Sequence, residues 1–154
     1  MNEIDKALLI EDETESILKI QEILWKKTEL FDDFENLTEA EKKFIYIEIL
    51  EAEINNGGFD QYFYNSSGNY STETLEALKE IGAIKTAKIV EEAFKVFSEN
   101  PIPKNNEKRR EILERINSKT SEKWQELEDE FYLHEENIGS LLLEYVRKHK
   151  SEFK

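Results

Sequence analysis

The sequence predicts an all-α fold, one compact domain spanning residues 1–154 and built from about seven or eight helices. Three observations predict it. Apolar residues recur three and four positions apart along nearly the whole chain. Only five glycines and two prolines interrupt that period. No stretch alternates apolar and polar residues long enough to form a half-buried strand.

In chain order, Ile4, Ala7 and Leu8 lead to Ile17, Ile20 and Leu24. The cluster Glu11-Asp12-Glu13 interrupts this stripe, which fits two helices or one long helix with a wet middle. Leu30-Phe31-Asp32-Asp33-Phe34 has no clean period and reads as a connector that drops aromatics into the core. Thr38-Glu39-Ala40-Glu41 fits a capping box, in which hydroxyl and carboxylate each bond the other residue's backbone amide. The run from Phe44 to Leu50 is apolar around most of its circumference, so that helix is central. It ends at Asn56-Gly57-Gly58, where glycine tolerates positive φ. Phe59 to Asn65 makes one or two helical turns, and Ser66-Ser67-Gly68-Asn69 a loop. Leu75, Leu78 and Ile81, then Ala87, Val90, Phe94 and Phe97, mark two amphipathic helices parted near Gly82. Asn100-Pro101-Ile102-Pro103 is the strongest break. A helix near 106–116 follows it. The next carries Trp124, Leu127 and Phe131 as its inner stripe, and the last carries Ile138, Leu141, Leu142, Tyr145 and His149.

Composition narrows the function classes. There are 35 acidic and 21 basic residues, for a formal net charge of −14. That sign repels nucleic acid and anionic membranes as direct partners. No apolar run reaches transmembrane length. The N-terminus lacks the basic region of a signal peptide, so a cytoplasmic location is expected. With no cysteine, disulfides, thiolate metal sites and cysteine nucleophiles are excluded. Neither His134 nor His149 has a glutamate three residues before it, which removes the di-iron pattern. His134 reads as a surface or capping residue and His149 as a partly buried structural one. Glu48 and Glu51, one turn apart, offer a carboxylate pair, although such pairs arise by chance in so acidic a chain. No catalytic set, metal site or cofactor motif emerges, so a non-enzymatic protein is expected.

The most distinctive stretch is Asn56-Gly57-Gly58-Phe59-Asp60-Gln61-Tyr62-Phe63-Tyr64-Asn65. Phe59, Tyr62 and Phe63 share one helical face and would seat against a core. Asn56, Gln61 and Asn65 are placed to hydrogen-bond backbone groups freed by the turn. The alternative is a ligand pocket formed by the same amides and tyrosine hydroxyls. This stretch, followed by Gly68 and by Ala77-Leu78-Lys79-Glu80-Ile81-Gly82-Ala83, resembles a bacterial DNA-mimic-protein family. Leu127-Glu128-Asp129-Glu130-Phe131-Tyr132 and Tyr145 are similar to it more weakly, so the resemblance spans about residues 38–145. It implies an all-α fold, a homodimer, and occupation of the DNA-binding surface of a protein partner. It also implies that Asn56, Gly57, Gly58, Phe59, Gln61, Tyr62, Phe63, Asn65 and Gly82 are shared structural positions. The shared motif contains none of the surface carboxylates that mimicry needs, so that activity is not carried by the motif itself.

Placement of charge therefore matters. A compact chain of this length is roughly 35–40 Å across, and an equal length of B-DNA displays about 20 phosphate charges. Residues 1–60 contain 17 acids and 6 bases, and residues 61–154 contain 18 and 15. The acidic segment 1–36 thus supplies the expected partner-binding face: Glu11, Asp12, Glu15, Glu22, Glu29, Asp32, Asp33 and Glu35. Routine helix support by pairs such as Glu15–Lys19 and Glu22–Lys26 is the plainer account of these carboxylates. Three functions follow. The leading one is blockade of a basic protein, a DNA-binding protein above all. The second is neutralisation of a toxin in the manner of an immunity protein. The third is an enzyme or small-ligand binder using the cluster at 56–65.

Overall fold

A computed structural model describes residues 1–28, 34–97 and 102–153. Among these the chain is all-α, with eight α-helices, two short 3₁₀ turns and no strand. The helices are α1 (Glu3–Leu8), α2 (Glu13–Trp25), α3 (Glu39–Tyr64), α4 (Ser71–Glu80), α5 (Ile84–Phe94), α6 (Asn106–Glu114), α7 (Ser118–Tyr132) and α8 (Ile138–Lys148). They form two compact units, Met1–Ile45 with Asn137–Lys154, and Tyr46–Glu136. No helix among the described residues is long and apolar enough to cross a membrane.

In the first unit the acidic interruption separates two helices. Asp12 caps α2 by accepting the Glu15 amide at 2.9 Å. The buried Ser16 hydroxyl, donating to the Ala7 carbonyl, ties α2 back to α1. Ile17, Ile20, Ile23 and Leu24 are buried on α2, and Ile138, Leu142, Leu143, Tyr145 and Val146 on α8. The inner stripe of α8 is thus rotated from the expected one: Leu143 and Val146 are inside while Leu141 is only half-buried. Phe34 is buried and packs on Trp25 at 5.9 Å; residues 30–33 of the expected connector lie outside the described set. The capping box at the start of α3 is present. Glu41 accepts the Thr38 amide at 2.9 Å and donates its own amide to the Thr38 hydroxyl at 3.2 Å. Its carboxylate is buried and paired with Lys27. Phe153 completes this core edge-on to Phe44 and Tyr145.

The second unit is organised around an aromatic cluster. Phe63 touches Phe97 at 4.8 Å, Tyr62 at 5.2 Å, Trp124 at 5.5 Å, Phe94 at 5.7 Å and Phe59 at 6.2 Å between ring centroids. Such offset and edge-on contacts add to the burial of large apolar area. The Trp124 indole N–H donates to the Ala93 carbonyl at 3.1 Å, so its polar atom is satisfied inside the cluster and joins α7 to α5. α4 ends at Gly82, whose φ of 88° sits in a Schellman turn: the Ala83 amide bonds the Leu78 carbonyl and the Gly82 amide the Lys79 carbonyl. α7 ends similarly at His134, with φ 48° and its ring against Phe131.

Candidate functional site

The motif at residues 56–65 lies in the second unit, and exposed carboxylates occur in both units.

The motif builds a kink. α3 is interrupted at Gly58, where φ 74° and ψ −169° end one helical segment and Phe59 starts the next. A new start exposes an unpaired amide, and Glu128 of α7 supplies the acceptor, taking the Phe59 N–H at 2.8 Å. A Cβ on Gly58 would stand 2.1 Å from that carboxylate, so both backbone angle and space demand glycine here. Burial, with the nearby charges of Asp129 and Asp60, pushes the Glu128 carboxyl up, while its bond to Phe59 pulls it down.

The reversal at the kink also brings Glu53 under the second segment. Its Oε2 accepts both the Gln61 amide at 3.0 Å and the Asn65 amide at 2.9 Å. Gly57 leaves room for this clasp, because a Cβ there would collide with the Gln61 side chain. The expectation that these amides serve backbone groups is corrected for Gln61 and Asn65. The kink places a carboxylate within their reach, and an amide N–H finds a stronger acceptor there. Asn56 is exposed beside Gly57.

The backbone groups at the end of α3 are taken by arginines instead. Arg109 donates to the carbonyls of Phe63 and Asn65, each at 2.9 Å, and Arg110 to that of Tyr64 at 2.9 Å. Arg109 is fully buried, and its remaining donors reach the Pro103 and Lys104 carbonyls and the Asn106 side chain. A guanidinium held by neutral carbonyls at a helix C-terminus is favoured by the local dipole. Burial lowers its pKa all the same. Gly68 lies against it, and a Cβ would be 2.5 Å from the guanidinium Nε. Tyr62 is buried with its hydroxyl donating to Thr74, and desolvation pushes it up to about 12. Tyr64 is exposed under the Arg110 guanidinium, 4.3 Å from ring centroid to Cζ. The polar groups of Gln61, Asn65 and Tyr62 that a ligand pocket would use are therefore engaged within the fold, while Asn56 and Tyr64 are exposed. Glu53, Arg109, Arg110 and Glu128 were not singled out from sequence. Only Glu128 carried a signal, through the weaker similarity at 127–132.

Glu48 and Glu51 do meet on α3, close enough for each carboxyl to shift the other. Burial pushes Glu48 up to about 8, aided by the Glu51 charge, and Glu51 up to about 7. Among the described residues no group of three or more His, Cys, Asp or Glu is placed to hold a metal ion.

Of the expected acidic face, Glu11, Asp12, Glu15, Glu22 and Glu35 are exposed in the first unit. Glu29, Asp32 and Asp33 lie outside the described residues. Glu22 sits between Lys19 at 3.4 Å and Lys26 at 3.2 Å, which hold its carboxyl below the usual range and cancel much of its field. Glu11, Asp12 and Glu15 enter no ion pair among the described residues, and they cluster at the start of α2. A further acidic row, unmarked in the sequence, runs along α7 in the second unit: Glu122, Glu126, Asp129 and Glu130 are all exposed over about 12 Å of helix. Lys119 and Lys123 are exposed on the same helix.

A family model described as DMP19-like protein matches residues 35–149. No curated protein and no solved structure matches the chain.

Proposed function

We propose that this chain, which belongs to the DMP19-like protein family, is a non-enzymatic protein that occupies a basic, DNA-binding surface of another protein. Family membership supports a DNA-mimic-like activity, and the fold supports a surface function over a pocket function. The observation that carries the reading is the exposed group Glu11, Asp12 and Glu15, which enters no ion pair among the described residues, in a chain of net charge −14. Carboxylates of this kind attract a partner at long range and lose that attraction as salt screens them.

The test separates a specific face from bulk charge. One variant carries Glu11→Lys, Asp12→Lys and Glu15→Lys; another carries Glu122→Lys, Glu126→Lys and Asp129→Lys. Both change the net charge by the same amount. Each is immobilised beside the native protein, and lysate proteins are captured at low salt and eluted by a salt step. The reading expects DNA-binding proteins on the native chain and on the α7 variant, and their loss on the first. Equal loss on both variants means charge alone attracts the partner, and no loss on the first means its face is not used. A toxin neutraliser would capture a toxin in place of a DNA-binding protein.

A further inference from the structure

One end of the α5–α7 pair, in the second unit, leaves apolar side chains uncovered. The two helices run antiparallel. The Trp124 indole meets the Ala93 carbonyl, while past the end of α7 Glu135 meets Lys85 at 3.5 Å and Glu136 accepts the Thr86 amide at 2.7 Å. This brings Ile84, the first residue of α5, to the end of α7 that holds Tyr132 and Leu133. Ile84 is 49% exposed, Tyr132 41% and Leu133 68%, three of the seven large apolar side chains exposed among the described residues. A single exposed leucine means little. Three at one end of a helix pair, edged by charge, have the character of a contact surface. The Tyr132 ring is also held in place, because its hydroxyl donates to the Ile54 carbonyl at 2.8 Å. Less ordering then opposes binding there.

The charge beside this end has one sign. Glu122, Glu126, Asp129 and Leu133 stand at i, i+4, i+7 and i+11, one line along the outer face of α7 about 16 Å long. Leu133 keeps helical angles, φ −68° and ψ −18°, before His134 turns the chain away, so it continues the acidic line. The three carboxylates enter no ion pair among the described residues, and Asp129 accepts a hydrogen bond from the neutral Gln125 amide at 3.1 Å. The helix has two bases. Lys119 lies in its first turn, at the far end from Leu133, and Lys123 supports Lys95 in holding the Glu92 carboxyl of α5 low. Lys85, beside Ile84, is paired with Glu135. Burial, followed by the charges of Glu128 and Asp129, pushes the Tyr132 phenol up, which marks the field at the apolar end as negative.

We propose that this surface docks a basic polypeptide segment of another protein. Its lysine or arginine side chains lie on Glu122, Glu126 and Asp129, and one large apolar side chain seats on Leu133, Tyr132 and Ile84. Charge selects that occupant: nucleic acid and anionic membranes are repelled, and two copies meeting face to face here would set carboxylate against carboxylate. The surface lies in the second unit, whereas Glu11, Asp12 and Glu15 belong to the first.

Three synthetic peptides of equal length serve as probes of the full chain. One is lysine-rich with leucine and phenylalanine at one end, the second has serine in place of those two residues, and the third has glutamate in place of the lysines. Binding is read at low salt by amide chemical shifts and titration calorimetry. The first peptide should bind saturably with shifts centred on α7 and the start of α5, about fivefold or more tighter than the serine peptide. The glutamate peptide should not bind. Ile84→Ser with Leu133→Ser should erase the advantage of the first peptide and leave the serine peptide unchanged. Glu126→Gln with Asp129→Asn should weaken both lysine peptides. All four side chains are exposed, so the fold should survive. Equal affinity of the two lysine peptides would mean that charge alone attracts them and would overturn the proposal. So would shifts centred on α2, an advantage that survives the double serine variant, or no saturable binding.

Discussion

Arg109 shows how much one side chain can hold. Five acceptors converge on a guanidinium that has no exposure to solvent, and each is a neutral oxygen. Hydrogen bonds to a charged donor contribute about 1.5–3 kcal/mol each. Gly68→Ala, by forcing the guanidinium aside, should therefore cost about 2 kcal/mol or more, seen as a lower urea midpoint at unchanged slope. Gly58→Ala should be at least as harmful, since φ 74° with ψ −169° is a region essentially confined to glycine, costing other residues about 1–3 kcal/mol, and the Glu128 acceptor is displaced as well. Glu128→Gln keeps an acceptor oxygen and should cost less than Gly58→Ala. Protonation at Glu48 and Glu51 gives a pH signature. Their folded pKa values, about 8 and about 7, exceed the ordinary value of 4.5, so the folded chain holds more protons between those limits. Stability from this pair is complete below about pH 4.5 and declines as pH rises through 7 to 8. Melting temperatures from pH 5 to 8.5 should fall for the native chain, and Glu48→Gln should flatten that fall.

At the scale of elements, local signals were legible where both partners lie within one helical turn. Thr38 and Glu41 could be read as a capping box because the bond pattern spans three residues. Thr38→Ala should cost about 1 kcal/mol, and somewhat more here because the hydroxyl also donates to the Glu152 carbonyl. A circular dichroism melt measures it. Gly57-Gly58 was legible as a helix stop, and Phe59, Tyr62 and Phe63 as a buried face, all from spacing. What satisfies the kink was not legible. Glu128 lies 69 residues from Phe59 and Arg109 46 residues from Phe63, and no local period links them. A buried arginine also contradicts the rule that charged residues stay outside unless paired with charge. The missed inner positions of α8, Leu143 and Val146, reflect a stripe wide enough to be placed in more than one rotation.

At the scale of the whole molecule, charge by chain segment and charge by folded unit differ. The first 60 residues are the acidic part of the sequence, yet Arg147, Lys148 and Lys150 fold into the same unit as the N-terminal acids, and Lys150 pairs with Asp5. The second unit holds 20 acids against 11 bases, and the first 15 against 10. Net repulsion at −14 should be relieved by salt, so adding sodium chloride from 20 to about 500 mM, which shortens the screening length several-fold, should raise the melting temperature. The same salt should weaken partner binding. Displacement by DNA measures most directly whether the chain occupies a DNA-binding surface. Proteins captured on the native chain at low salt are challenged with rising concentrations of duplex DNA at constant ionic strength. Bound DNA-binding proteins should be released progressively, because DNA and the acidic face compete for one surface. Retention of those proteins at saturating DNA would contradict it.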